Sequence, residues 1–260
     1  MTPLPTVFVS HGAPTLVIDP LPTHDFLIEL GQKLPRPQAI LCVSAHWEAA
    51  EPMLGGTAQP ETIYDFSGFP DELYQTHYPA PGSPALAKRV TIMLMQAGFN
   101  AMTHPERGLD HGAWVPLKLM YPQADIPVVQ LSVQSRQGAA HHLALGKALQ
   151  PLRQEGVLIL ASGGATHNLL AFRGQPADSP VQEYAAAFDA WLEACIAEGR
   201  DDLLVDYLNQ GPSARRNHPT PEHYLPLLVA AGAAGAGAHG KRIHHAFTYG
   251  MLSMAAFAWE

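Results

Sequence analysis

Residues 157–167 read VLILASGGATH: five apolar residues in an unbroken run, a Gly-rich turn, then His167. A run this short, without polar alternation, fits a strand covered on both faces better than a helix. The same signature recurs in AILCVSAH (residues 39–46), which closes on His46, and in TVFVSH (residues 6–11), which closes on His11 before Gly12. A fourth apolar run spans Ile126 to Val133. Between these runs lie helix-like segments at about Thr23 to Lys33, Ser83 to Ala97, Ala113 to Met120 and Ala139 to Glu155. Strands alternating with helices predict an α/β fold, with a central, largely parallel or mixed sheet covered by helices on both faces. Beyond residue 165 come helical patterns at Pro180 to Glu198, Asp201 to Asn209 and Pro221 to Ala234, then closing strands at Arg242 to Tyr249 and Ser253 to Trp259. No break in composition marks a boundary, so residues 1–260 are expected to form a single domain.

Composition narrows the function classes. With 47% hydrophobic and 15% charged residues the chain is an ordinary folded protein, not a disordered tail or a coiled coil. Lys+Arg 15 against Asp+Glu 23 leaves a formal charge of -8, and no segment concentrates basic residues, which argues against a nucleic-acid partner. The opening MTPLPTVFVSHG has no basic stretch ahead of an apolar one, and no run approaches the ~20 apolar residues that span a bilayer. The expectation is a cytoplasmic protein without a membrane partner. Cys42 and Cys195 fall in a strand-like and a helix-like apolar context, as free buried thiols do. The low-complexity stretch AAGAAGAGAHG (residues 230–240) reads as a helix end and a flexible turn; it neither follows a strand nor matches GxxxxGK[ST], so a phosphate loop is set aside.

The chain holds 14 histidines, and histidine is both the commonest metal ligand and the usual acid or base near neutral pH. In open parallel sheets the functional crevice lies outside the carboxyl ends of the strands, so His11, His46 and His167 should meet at one edge. A further candidate sits in NHPTPEHYLPLLVAAG (residues 217–232). Thr220 looks like an N-cap with Pro221 in the first helical position, which puts His223 in the first turn, where the helix dipole favours a neutral ring able to bind metal. His218, just outside, stays open as the alternative. The HxxEH arrangement of metalloproteases needs histidines four apart on one helix; these are five apart with prolines between, so that reading fails. His111 follows Asp110 and precedes Gly112 at a turn that could cap the next helix. His104, His141, His142 and His239 are expected to face solvent, and His244 or His245 could point inward. There is no GxSxG elbow, no GxGxxG after a strand and no CxxC pair.

Read together, VFVSHG (7–12), CVSAHW (42–47), TIYDFSGFP (62–70), LDHGAWVPL (109–117), SGGATHNL (162–169), HPTPEHYLPLLVAAGA (218–233) and FTYGMLSM (247–254) resemble the DODA-type branch of the class III extradiol ring-cleavage dioxygenases. The likeness keeps its order from about residue 6 to residue 259. It implies an α/β enzyme with one non-haem divalent metal per chain that opens a catechol such as 3,4-dihydroxyphenylalanine with dioxygen. Carried over, the metal ligands fall on His11, His46 and His223, the acid–base histidine on His167, and a second histidine lining the substrate side on His111. His223 stands where better-known members of the superfamily have a glutamate, so Fe(II) is implied for dioxygenase activity while three imidazoles suit Zn(II) as well. Tyr64, Phe66, Phe69, Trp114 and Tyr249 are candidate aromatic walls, with Tyr249 the named substrate contact. Two competing readings use the same histidines: a zinc-dependent hydrolase, and a metal-stabilised binding protein without catalysis.

Overall fold

The strand-end histidines owe their positions to a mixed eight-stranded sheet. The computed structural model describes residues 3–260. Its strands are β1 (Thr6–Ser10), β2 (Ala39–Glu48), β3 (Met53–Gly55), β4 (Met102–His104), β5 (Val128–Val133), β6 (Val157–Gly163), β7 (Lys241–His244), β8 (Phe247–Thr248), β9 (Leu252–Ser253) and β10 (Ala256–Trp259). The main sheet has the order β4-β3-β5-β2-β6-β1-β10-β7, and β8 pairs with β9 apart from it. The four apolar runs form its centre, β5, β2, β6 and β1, all parallel. Antiparallel pairing of β10 with β1, and of β3 with β5, makes the flanks mixed.

Because successive strand residues point to opposite faces, each central strand feeds two cores. Ile40 and Cys42 pack with Leu27, from the helix Pro22–Lys33, and with Trp114 and Leu117, from the helix His111–Met120. Leu41 and Val43 pack on the other face with Val90, Leu145 and Val229. Those three come from Pro84–Gln96, Gly138–Leu149 and Leu225–Ala234, the last buried at every position. An apolar surface all round is what a helix enclosed on every side requires. No helix among the described residues is long and apolar enough to cross a membrane.

Several boundaries differ from the sequence expectation. The strand expected at Arg242 to Tyr249 stops at His244 and resumes only as β8, and Ser253 to Trp259 likewise divides between β9 and β10. The hairpin between β8 and β9 turns on Tyr249 and Gly250, both at positive φ (56° and 69°). The helix expected from Ala139 to Glu155 changes to 3-10 geometry at Gln150, where Pro151 has no N–H to continue the ladder. Asp201 to Asn209 forms two short helices, Asp201–Val205 and Tyr207–Gln210. The short strands β3 and β4, three residues each, were not anticipated, being too short to leave a hydrophobic run.

Candidate metal centre

In the order β2-β6-β1 the carboxyl ends of three strands stand side by side. His11 follows β1 directly, its N–H donating to the Gly163 carbonyl (3.1 Å), and His46 lies near the end of β2. His223 arrives from the turn that precedes Leu225–Ala234, its carbonyl accepting from the Gly164 N–H (2.9 Å). That approach needs glycine at 163, since a Cβ there would lie 2.2 Å from the His223 carbonyl oxygen. The three rings meet through one atom each: Nε2 of His46 is 2.9 Å from Nε2 of His11 and 3.3 Å from Nε2 of His223.

The surroundings fix which nitrogen of His11 and of His223 carries the proton. Ser162 Oγ donates to the Gly112 carbonyl, so at 2.9 Å from His11 Nδ1 it can only accept, and His11 is protonated on Nδ1. Glu222 Oε1, 2.9 Å from His223 Nδ1, is a carboxylate oxygen and accepts there too. The Nε2 atoms of His11 and His223 are therefore unprotonated, and both face Nε2 of His46. Asp65 Oδ2, hydrogen-bonded to His111, stands 3.4 Å from His46 Nδ1, an electrostatic contact and not a hydrogen bond. Burial, reinforced by the neighbouring imidazoles, drives the His11 and His223 pKa values well below the ordinary histidine range. Burial and then His111 lower that of His46, against the opposing pull of Asp65. Three imidazoles kept neutral by burial and brought this close through one nitrogen each form a ready site for a cation. Nitrogens bound to one ion at roughly 2.0–2.1 Å stand about 3 Å apart, as these do. The donor set fits a divalent metal, and the acceptor behind the His11 and His223 rings is the usual means of orienting a metal-binding imidazole. Two overlapping groups, His46–Asp65–His111 and His167–Glu222–His223, also gather metal-binding atoms. Their carboxylates, however, are already engaged by the N–H groups of His111 and His223.

His111 opens its helix, where Asp110 is the N-cap and accepts from the Ala113 N–H. Asp110 is fully buried, but Ser44, Arg107 and Gln130 also donate to it, so its charge is compensated. The helix supplies one more support. Pro116 cannot donate to the Gly112 carbonyl four residues back, and Ser162 takes that acceptor while receiving the proton of His11. Gly112 must itself lack a side chain, because a Cβ would meet Ser44 Oγ at 2.4 Å and the His46 ring at 2.9 Å. Asp65 accepts from both the backbone N–H and Nδ1 of His111 (each 2.9 Å), which leaves His111 Nε2 free as an acceptor. Burial raises the Asp65 pKa, yet the side-chain and backbone hydrogen bonds from His111 outweigh it and hold the carboxyl below its ordinary value.

His167 lies flat on His223, with ring centroids 3.4 Å apart and planes 7° from parallel. Burial lowers its pKa to about 4, so it is a neutral base at physiological pH. His11, His46, His111, His167 and His223 all face a cavity of about 510 Å³, and Phe66, Phe69 and Tyr249 line it as well. Tyr64 and Trp114, expected among the walls, do not reach it. Trp114 is fully buried with its indole N–H on the Ile63 carbonyl, and both rings back Phe66.

Two further expectations are corrected, for His223 and His142, and the alternatives left open at His218 and at His244 or His245 are decided. His223 is not in the first turn of a helix. The helix begins at Leu225, with Pro226 in its opening turn, and the Thr220 hydroxyl donates to Glu222 instead of capping. Its neutrality therefore comes from burial and neighbouring rings, not from a helix dipole. His218 points away from the cluster, donating from Nε2 to the Ala165 carbonyl (3.0 Å) and packing among Phe188, Tyr207 and Tyr224. His142, expected in solvent, is fully buried: its Nδ1 donates to the Gly138 carbonyl and its Nε2 accepts from the Gln134 N–H. His244 stacks on Phe26 and His245 lies beside Asp189, so neither joins the site. Sequence reasoning missed Asp65, Glu222 and Ser162, the partners of the cluster's outer nitrogens.

An α/β sheet with a cluster of histidines at its carboxyl edge that could hold a metal, opening into an aromatic-lined cavity, is the architecture of a metal-dependent enzyme. Comparison with known proteins gives the particular lineage. The model of the catalytic LigB subunit of aromatic ring-opening dioxygenase matches residues 6–258, and the chain belongs to that family. It is 47% identical to a 4,5-DOPA dioxygenase extradiol of Beta vulgaris, over 97% of this chain and 95% of that one. It is 44% identical to one of Escherichia coli K12, over 89% and 86%. A crystal structure of an uncharacterized Escherichia coli K12 protein superposes with a TM-score of 0.81 at 40% identity, covering 98% of this chain and 99% of that one. The protein is thus a ring-cleaving dioxygenase of a metal-dependent family, which leaves the hydrolase and the non-catalytic readings without support.

Proposed function

We propose that the chain opens the ring of catechols outside the diol, with 3,4-dihydroxyphenylalanine-like compounds and dioxygen as substrates. His11, His46 and His223 hold one divalent metal, Fe(II) in the active form, with Zn(II) able to occupy the same nitrogens. The observation that carries this reading is the convergence of the Nε2 atoms of three cavity-lining histidines. When bound, the metal supplies a centre on which both catechol oxygens and dioxygen can be gathered and electrons passed between them. The chain's own groups handle protons and shape. His167, neutral and stacked on His223, accepts the proton of the second catechol hydroxyl and can return it as the ring opens. His111, fixed by Asp65, offers Nε2 as an acceptor on the substrate side. Phe66, Phe69 and Tyr249 flank a flat ring and exclude water. The free, buried Cys42 and Cys195 fit a reducing compartment, and we place the enzyme in the cytoplasm.

The test is oxygen uptake. Protein loaded anaerobically with Fe(II) should consume dioxygen on catechols and form a yellow semialdehyde, and should do nothing with monophenols, which cannot offer two oxygens. Ester or amide hydrolysis by the zinc form, with no oxygen uptake by the iron form on any catechol, would overturn the reading.

A further inference from the structure

Apart from the histidine cluster, the cavity walls are uncharged. Among the described residues no lysine, arginine, aspartate or glutamate lines it. Pro14, Phe66, Phe69 and Met254 make the interior apolar, and the same character continues out of the mouth. There Leu169 and Phe172, both lining residues, are 58% and 40% exposed, and the adjoining Leu170 is 74% exposed. Large apolar side chains gathered in water at the rim of a cavity mark a ligand groove more often than chance exposure. The cation nearest in sequence, Arg173, is turned back on this lip, its guanidinium donating to the Leu170 and Phe172 carbonyls. At about 510 Å³ the cavity is also large for one ring; volumes of roughly 300–1,000 Å³ enclose drug-sized ligands.

Resting on the ring-opening reading, we propose that the preferred substrates are uncharged catechols bearing an extended apolar substituent, seated against the Leu169–Phe172 lip. The ring and its two oxygens occupy the histidine end, and the substituent runs outward over apolar wall. An amino-acid side chain, by contrast, must leave its carboxylate and ammonium among walls that offer no counter-charge, or carry them past the lip into solvent. Dihydroxyphenylalanine is then accepted but disfavoured.

The experiment measures Kd anaerobically by calorimetry on the Zn(II)-loaded protein, for catechol, 4-methylcatechol, 4-propylcatechol, 4-pentylcatechol and dihydroxyphenylalanine. Each added methylene should tighten binding by roughly fourfold, the factor equivalent to burying one such group. Dihydroxyphenylalanine should bind at least ~5-fold more weakly than 4-propylcatechol, the lower end for burying an unpaired polar group. Leu169→Arg should shrink the gap between the two and flatten the chain-length series. A Kd independent of chain length, or tighter binding of dihydroxyphenylalanine than of 4-propylcatechol, would overturn the proposal. Oxygen uptake by the Fe(II) form on the same panel reports on ring opening separately. Its absence on every catechol would strike that reading while the order of affinities still stood or fell on its own.

Discussion

Replacing Ser162 by alanine tests how the site sets its protonation. The Ser162 hydroxyl accepts from His11 Nδ1 (2.9 Å) and donates to the Gly112 carbonyl, which is open to it because Pro116 has no N–H. Ser162→Ala strands two buried polar groups, at about 1–3 kcal/mol each, so the metal-free protein should lose roughly 2–6 kcal/mol. The second effect is on the metal. Without an acceptor at Nδ1 the His11 proton is free to move to Nε2, the atom that has to bind, and loss of such an orienting partner typically costs ~10–100-fold in metal affinity. Urea unfolding measures the first effect and chelator competition the second. Pro116→Ala separates them, since an alanine at that position supplies the missing N–H to the Gly112 carbonyl. In that background the stability penalty of Ser162→Ala should shrink by about 1–3 kcal/mol while the affinity loss persists. Unchanged affinity in Ser162→Ala, or an undiminished stability penalty in the Pro116→Ala background, would show that Ser162 does not link the two groups in this way.

His167→Gln should retain the metal yet lower turnover by at least ~100-fold, the smaller effect expected of a positioned acid–base group; loss of metal would make it a ligand instead. His223→Ala should lose most of the metal, whereas His218→Ala should keep it and cost about 1–3 kcal/mol of stability through the hydrogen bond to the Ala165 carbonyl. The reverse pattern would reassign the third ligand. Burial lowers the pKa of His142 to about 4, below the 6.5 of an unfolded histidine, so the unfolded state binds the proton more readily. Its contribution is complete above about pH 6.5 and is lost as the pH falls toward about 4, a difference of about 3 kcal/mol. Urea titrations of the metal-free protein across that range should show a shallower acid slope for His142→Gln, and an unaltered slope would contradict the burial argument.

The central strands and the histidines behind them were legible because each of the three strands is a short apolar run followed by a histidine, in two cases with glycine beside the turn. Pro221 misled, because the N-cap pattern it forms with Thr220 is equally compatible with a turn. Pro226 offers a second place for a proline in the opening turn, and the helix takes that one, starting at Leu225. Asp65 carries no local signal at all. It belongs to a loop 46 positions from His111, and only the folded chain brings its carboxylate between His111 and His46. Ser162 reads as one more small strand residue, and its role depends on a proline in another element. His142 looked exposed because it follows another histidine in a segment without a strong apolar run, yet the turn at Gln134 closes over it.

Where the metal sits decides every role assigned to the surrounding side chains. An anomalous-difference map from crystals of the protein loaded with Zn(II) or Fe(II) should contain one strong peak bonded to Nε2 of His11, His46 and His223, at roughly 2.0–2.2 Å. A peak held by Asp65 and His111, or by Glu222 and His167, with the three Nε2 atoms left unbound, would contradict it.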